Sequence, residues 1–170
     1  MFFVKPNPAK EVQFILDDFK SKVGAVPPHF ELLATLNPKR FEMFIQEITY
    51  LLTHPHIESD FFAFLRLYIA AKEQFQYCLM FNTKLLIRKQ YSKETLNLVK
   101  EDLMNIPLNK KHKTLAIKVN KAIYDAKNFS KEDCDELKEE GWSDSDIYDA
   151  IDHGAFLFKY SKILKAYSTN

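Results

Sequence analysis

Apolar residues in this chain recur at helical spacing and almost never alternate. Val12, Ile15, Leu16 and Phe19 fall at i, i+3, i+4 and i+7, one stripe of a helix that Gly24 and Pro27-Pro28 bring to an end. Phe41, Phe44, Ile45, Ile48, Leu51 and Leu52 form a second stripe between Pro38 and Pro55. From Phe61 to Met80 apolar residues occur on every side, with Phe61, Phe62, Phe64, Leu65, Leu67, Tyr68, Ile69, Ala70 and Ala71 in close succession. Such a helix is buried all round, in the centre of a domain or against another subunit. Residues 58–90 contain neither Gly nor Pro, and a break is expected near Gln74–Gln76. Leu115, Val119, Ala122, Ile123 and Ala126 mark a further amphipathic helix. The last helix is predicted from Asp144 to about Ala166, with Ile147, Ile151, Gly154, Ala155 and Phe158 on one face.

Three helix starts share one device. Tyr91-Ser92, Phe129-Ser130 and Trp142-Ser143 each place an aromatic before a Ser N-cap, and five residues on come Leu96, Cys134 and Ile147, the position of a hydrophobic staple. Asp133 and Asp146 add an acid to the first turn, favourable to the helix dipole. Helices are therefore predicted to begin at about 93, 131 and 144, and Cys134 is assigned to packing beneath Phe129. Gly154 sits inside a helix at a cost of up to about 1 kcal/mol relative to Ala. Close approach of another helix, from this chain or a neighbouring subunit, is the expected compensation.

Composition narrows the fold class. The 170 residues contain three glycines, where average usage of about 7% gives roughly twelve, and the tight turns of hairpins need glycine far more than helices do. An all-α domain spanning 1–170 is expected. Twenty-four basic against 23 acidic residues leave no electrostatic footprint for nucleic acid, and Asn109-Lys110-Lys111-His112-Lys113 is read as a solvated helix start. No apolar run reaches the roughly 18 residues of a membrane span, the N-terminus lacks the order of a signal peptide, and two cysteines suit a reducing compartment. A cytoplasmic address, with neither membrane nor nucleic-acid partner, is the expectation.

The candidate chemistry lies in Glu73-Gln74-Phe75-Gln76-Tyr77-Cys78-Leu79-Met80-Phe81-Asn82. One thiol stands in an apolar helical run where a redox protein carries Cys-x-x-Cys. Phe75 occupies the partner position, so no disulfide can form within the motif. Asn82, one helical turn past Cys78, can donate a hydrogen bond but cannot take a proton. Burial among Phe61, Phe62, Leu79 and Phe81 would raise the thiol pKa and suppress the nucleophilic thiolate. His54-Pro55-His56 is a pair of imidazoles without a third ligand at fixed spacing, and is read as a solvated loop; no metal site and no cofactor are predicted. His29 is placed in the first turn of a short helix, and His153 is read as a hydrogen-bonded histidine of the core or of a subunit interface.

The order of these pieces resembles the carboxymuconolactone decarboxylase family, and within it the alkylhydroperoxidase D-like (AhpD-like) branch. Four segments carry the likeness over about residues 20–165. They are Val23-Gly24-Ala25-Val26-Pro27-Pro28-His29-Phe30 with Leu36-Asn37-Pro38; Ala70-Ala71 running into Tyr77-Cys78; Tyr91-Ser92-Lys93-Glu94; and Leu137-Lys138-Glu139-Glu140-Gly141-Trp142-Ser143-Asp144-Ser145-Asp146-Ile147. The resemblance implies an AhpD-like helical domain that assembles as a dimer, trimer or hexamer through its central helices. It also implies redox chemistry on Glu…Cys-x-x-Cys-x-x-x-His, in which one thiolate attacks a hydroperoxide and the other resolves the sulfenic acid. Carried over residue by residue, the first cysteine falls on Phe75, the second on Cys78, the histidine on Asn82 and the glutamate near Ala63, with Glu58 and Asp60 about a turn earlier.

Two readings follow. In the first, the chain is a binding or assembly module that has lost the two-cysteine peroxidase site and takes a small apolar ligand. In the second, Cys78 acts alone as a thiol-dependent antioxidant that reduces a hydroperoxide. Phe75, Tyr77, Asn82, Ala63 and Tyr68 are the pocket candidates around Cys78, and His153 or His54 of a neighbouring subunit could complete the site as a base.

Overall fold

A computed structural model describes residues 2–169, and every regular element among them is helical. The helices are α1 (Lys10–Val23), α2 (Pro28–Leu36), α3 (Pro38–Leu52), α4 (Ser59–Lys72), α5 (Gln76–Arg88), α6 (Lys93–Glu101), α7 (Lys110–Tyr124), α8 (Lys131–Glu139) and α9 (Asp144–Ala166). The predicted starts at 93, 131 and 144 and the break at 74–76 are all present. No helix among the described residues is long and apolar enough to cross a membrane.

The chain forms two compact units. The first comprises residues 1–53 and 163–170. Its core is built from Val12 and Leu16 of α1, Phe30 and Leu32 of α2, and Phe41 and Phe44 of α3. Phe30 meets Phe41 and Phe44 edge-on, with ring centroids 5.8 and 5.5 Å apart. His29, in the first turn of α2 as expected, is buried among these rings, and burial pushes its pKa down to about 3. The two ends of the chain meet where Phe3 N–H donates to the Tyr167 carbonyl at 3.0 Å.

The second unit, residues 54–162, surrounds α4. Phe61, Phe62, Ala63, Phe64, Leu65, Leu67, Ile69 and Ala70 are all buried, as the all-round apolar pattern requires. Helix α4 ends in a Schellman motif: Phe75 N–H bonds to the Ala70 carbonyl and Gln74 N–H to that of Ala71, with Gln74 at φ +52°. The same pair of bonds closes α5, through Tyr91 to Leu86 and Gln90 to Ile87, and α8, through Trp142 to Leu137 and Gly141 to Lys138. Gln74 and Gln90 thus take left-handed positions that glycine usually fills, which helps explain how the chain manages with three glycines.

The first-turn acids do more than favour a dipole. Asp146 forms a capping box with Ser143 and also accepts from His56 Nδ1 at 2.9 Å. Asp133 accepts from Ser130 N–H at 2.9 Å and from Lys118 and Lys121 of α7, each at 2.6 Å, which pins the start of α8 to α7. The helix start at 109–113 is solvated only in part: Asn109 and Lys110 are exposed, as expected, but His112 is not. His112 is buried, its Nδ1 against Asn109 Oδ1 at 3.0 Å and its ring 5.1 Å from that of Trp142, while Lys111 Nζ lies 3.8 Å from the Trp142 centroid. The Trp142 ring draws both residues inward through apolar and cation–π contact.

Gly154 has its compensation inside the chain. A Cβ there would stand 3.0 Å from Val119 Cγ1 and 3.1 Å from Ile123 Cγ1, so α9 crosses α7 at the glycine. Ala155, expected on the packed face, is exposed. Gly154→Leu should lower stability by about 1–3 kcal/mol in urea unfolding through overpacking of this crossing; an unchanged midpoint would show the contact to be loose.

The Lys118 and Lys121 hydrogen bonds, then that from Ser130 N–H, hold Asp133 well below the ordinary carboxylate range, outweighing the opposing effect of burial. A depressed carboxylate stabilises above its unfolded value of about 3.9 and loses that contribution as pH falls through the folded value. Asp133→Asn should therefore cost about 1–2 kcal/mol at pH 7, with the difference from the native chain shrinking below about pH 4 in acid-unfolding curves. A difference that stays constant with pH would remove the charge from the account.

Candidate functional site

Phe75 is the N-cap of α5, which places Cys78 in the first turn of that helix. A helix N-terminus favours a thiolate, but Cys78 is half-buried and the loss of water pushes its thiol up to about 12. Asn82, buried one turn on, does not address the thiol. Its Nδ2 donates to the Cys78 backbone carbonyl at 2.8 Å, and its Oδ1 accepts from Arg66 Nε at 3.2 Å. The residue in the place of the motif's histidine therefore links α5 to α4 through an arginine.

The place of the motif's glutamate holds the buried methyl of Ala63. Asp60, a turn earlier, is taken up by Lys89 Nζ and Tyr91 Oη, whose hydrogen bonds outweigh burial and lower its pKa. Glu58 is exposed, 3.8 Å from His112. Neither acid pairs with Cys78.

Of the five pocket candidates, Phe75 and Tyr77 are neighbours with ring centroids 6.0 Å apart, and Asn82 is bonded to the Cys78 backbone. Ala63 lies on α4, three residues before Arg66. Tyr68 interacts elsewhere: Lys72 Nζ lies 5.6 Å from its ring centroid and 3.8 Å from that of Tyr124.

Arg66 was not singled out from the sequence, although it is the one charged residue between Asp60 and Lys72 in an otherwise apolar helix. Burial lowers its pKa to about 10, against the pull of the Asp60 charge. Among the described residues no carboxylate forms an ion pair with it. His153 differs from its expected role: it is 1% exposed, and neither ring nitrogen has a hydrogen-bond partner among the described residues. Its ring lies edge-on to Phe62 at 5.0 Å and stacks with Phe156 at 5.7 Å. Burial, then the neighbouring Arg66 charge, keeps the imidazole neutral well below its usual range.

The His54-Pro55-His56 segment is solvated only in part: Pro55 and His56 are exposed, but His54 is not. The His54 side chain is 2% exposed; its Nδ1 accepts from Ile57 N–H at 2.9 Å, and its Nε2 faces Asp149 Oδ2 at 3.2 Å. These bonds fix the approach to α4, so the imidazole caps backbone instead of meeting water. Among the described residues no group of three or more His, Cys, Asp and Glu side chains is placed to hold a metal ion.

Solved structures share this architecture. An uncharacterized peroxidase-related protein from Silicibacter sp. TM1040 superposes with a TM-score of 0.83 at 17% identity, over 98% of this chain and 87% of its own. The AhpD-core structure of a peroxidase-related protein from Ralstonia eutropha JMP134 gives 0.80 at 17%, over 96% and 87%. A protein of unknown function from Agrobacterium tumefaciens, carrying the description of an AhpD antioxidant-defence protein, gives 0.64 at 14%, over 81% and 93%. The chain therefore has the AhpD-like all-α fold, as the sequence resemblance implied. No protein-family model and no curated protein matches the sequence.

Asn82→Ala should cost about 1–3 kcal/mol in chemical unfolding, because it leaves the withdrawn Arg66 Nε–H without its acceptor. A loss below about 0.5 kcal/mol would mean that water replaces the amide and that the bridge holds nothing in place.

Proposed function

We propose that this chain is a non-catalytic member of the AhpD-like fold, a homo-oligomeric binding or assembly module of the cytoplasm that has lost two-cysteine peroxide chemistry. One observation carries the reading: Cys78 is half-buried with no base or cation bonded to its thiol among the described residues, and that withdrawal from water pushes it up to about 12. At pH 7 such a thiol is ionised far less than an ordinary cysteine near 8.5. The buried Phe75 and Ala63, and an Asn82 turned to backbone, supply neither a resolving thiol nor a proton acceptor.

A second reading keeps Cys78 as a one-cysteine antioxidant, favoured by its place in the first turn of α5 and by the antioxidant description of a structural neighbour. There the thiolate would take the distal oxygen of a hydroperoxide, giving sulfenic acid and releasing the alcohol. Two equivalents of an external thiol would then return the cysteine, with a disulfide and water as products.

Stoichiometric hydroperoxide followed by intact mass and sulfenic-acid trapping separates the two, with Cys78→Ser and Cys134→Ser as controls. We expect Cys78 to oxidise no faster than free cysteine. Its alkylation rate should still climb about tenfold per pH unit from 8 to 10, where an ordinary thiol levels off. Fast oxidation confined to Cys78 would overturn the non-catalytic reading.

A further inference from the structure

In the second unit Arg66 of α4 is bonded to Asn82 of α5, and the Arg66 charge acts on the buried His153 of α9. Arg66 gives its Nε–H to Asn82 Oδ1, and among the described residues its two terminal amino groups have no carboxylate partner. The nearby Asp60 charge is already engaged by Lys89 and Tyr91. His153 lies within reach of the Arg66 charge. Phe62, which its ring touches edge-on, is one helical turn before Arg66 on α4, and both of its nitrogens are unsatisfied at 1% exposure. A half-buried guanidinium whose nearby carboxylate is already paired elsewhere, beside a buried imidazole without a hydrogen-bond partner among the described residues, is an arrangement folding alone disfavours.

We propose that Arg66, Asn82 and His153 form a binding site for a small carboxylic acid with an apolar body, bound as its carboxylate. The two terminal amino groups of Arg66 match the two oxygens of a carboxylate in the bidentate geometry that guanidinium favours, with Asn82 fixing the plane of the fork. The neutral imidazole of His153 adds one N–H donor. Its rings of contact, Phe62 and Phe156, supply an apolar wall for the rest of the molecule. With one positive charge among the three side chains, the site balances a monoanion and would leave a dianion with an unpaired charge against those rings. Arg66, the one member of the three still partly exposed, marks the side of entry. The proposal rests on reading this as a site that binds and does not react, and gives that reading its ligand class.

The same chemistry could come from a side-chain carboxylate of a second copy, so the test separates the two sources. The full chain is titrated with benzoate and hexanoate at matched ionic strength, with neutral benzamide and inorganic phosphate as controls. Binding is followed through the Arg66 Nε–H resonance, distinguishable because Arg40 and Arg88 are exposed, and mass through light scattering. Benzoate and hexanoate should shift the resonance saturably at unchanged mass, while benzamide and phosphate should not.

His153→Phe keeps the aromatic packing and removes both unsatisfied nitrogens. It should melt at or above the native temperature yet bind benzoate about tenfold more weakly, and Arg66→Gln should abolish binding if it folds. Cys78→Ser should bind like the native chain, so a reactive thiol and a failed carboxylate site remain distinguishable results. No saturable shift with any carboxylate would overturn the proposal, as would equal binding by His153→Phe or by benzamide. A loss of mass in Arg66→Gln without carboxylate binding to the native chain would assign the anion to a second copy and overturn it equally.

Discussion

Enclosure of α4 is the constraint from which the rest of the second unit follows. A helix whose residues from Phe61 to Leu65 are all at most 1% exposed cannot stand alone and must be covered by other elements. The same enclosure sets the chemistry: a polar group buried against α4 loses water and must be paired or neutral. Arg66 on α4, Cys78 and Asn82 on α5, and His153 on α9 all lie under that condition, and it decides which of them can ionise.

The junctions between helices depend on aromatics that serve two elements at once. Tyr91 and Trp142 each donate the closing backbone bond of the helix before them and stand one residue ahead of the Ser that begins the next. One side chain thereby fixes both the end of a helix and the exit angle of its successor. Phe75 has the same place at the end of α4 and is itself the N-cap of α5. Phe75 therefore puts a buried apolar contact at the turn between α4 and α5.

Much of this was legible in the sequence. Periodicity located the helices, and the aromatic–Ser pairs located three starts, because both signals are local. The resemblance pointed to an AhpD-like helical fold, which the solved structures share. What escaped were contacts between residues far apart in the chain. Asp133 reads as a dipole acid until Lys118 and Lys121 are seen beside it; His54 reads as a loop residue until Asp149 arrives 95 positions later. Arg66 reads as an interruption in an apolar helix, and its significance depends on Asn82 and His153.

Helix α5 is bounded on both sides by non-glycine residues in the left-handed region, Gln74 before it and Gln90 after it. Each such position stores roughly 1–2 kcal/mol of backbone strain, and in α5 only Asn82 and Leu86 are buried. Strain held at both ends and little interior packing put this segment at the low-stability end of its unit. The excursion that relaxes the two glutamines is also the one that uncovers Cys78 and Asn82. Local opening of α5 is therefore the excursion that would bring the Cys78 thiol into contact with solvent.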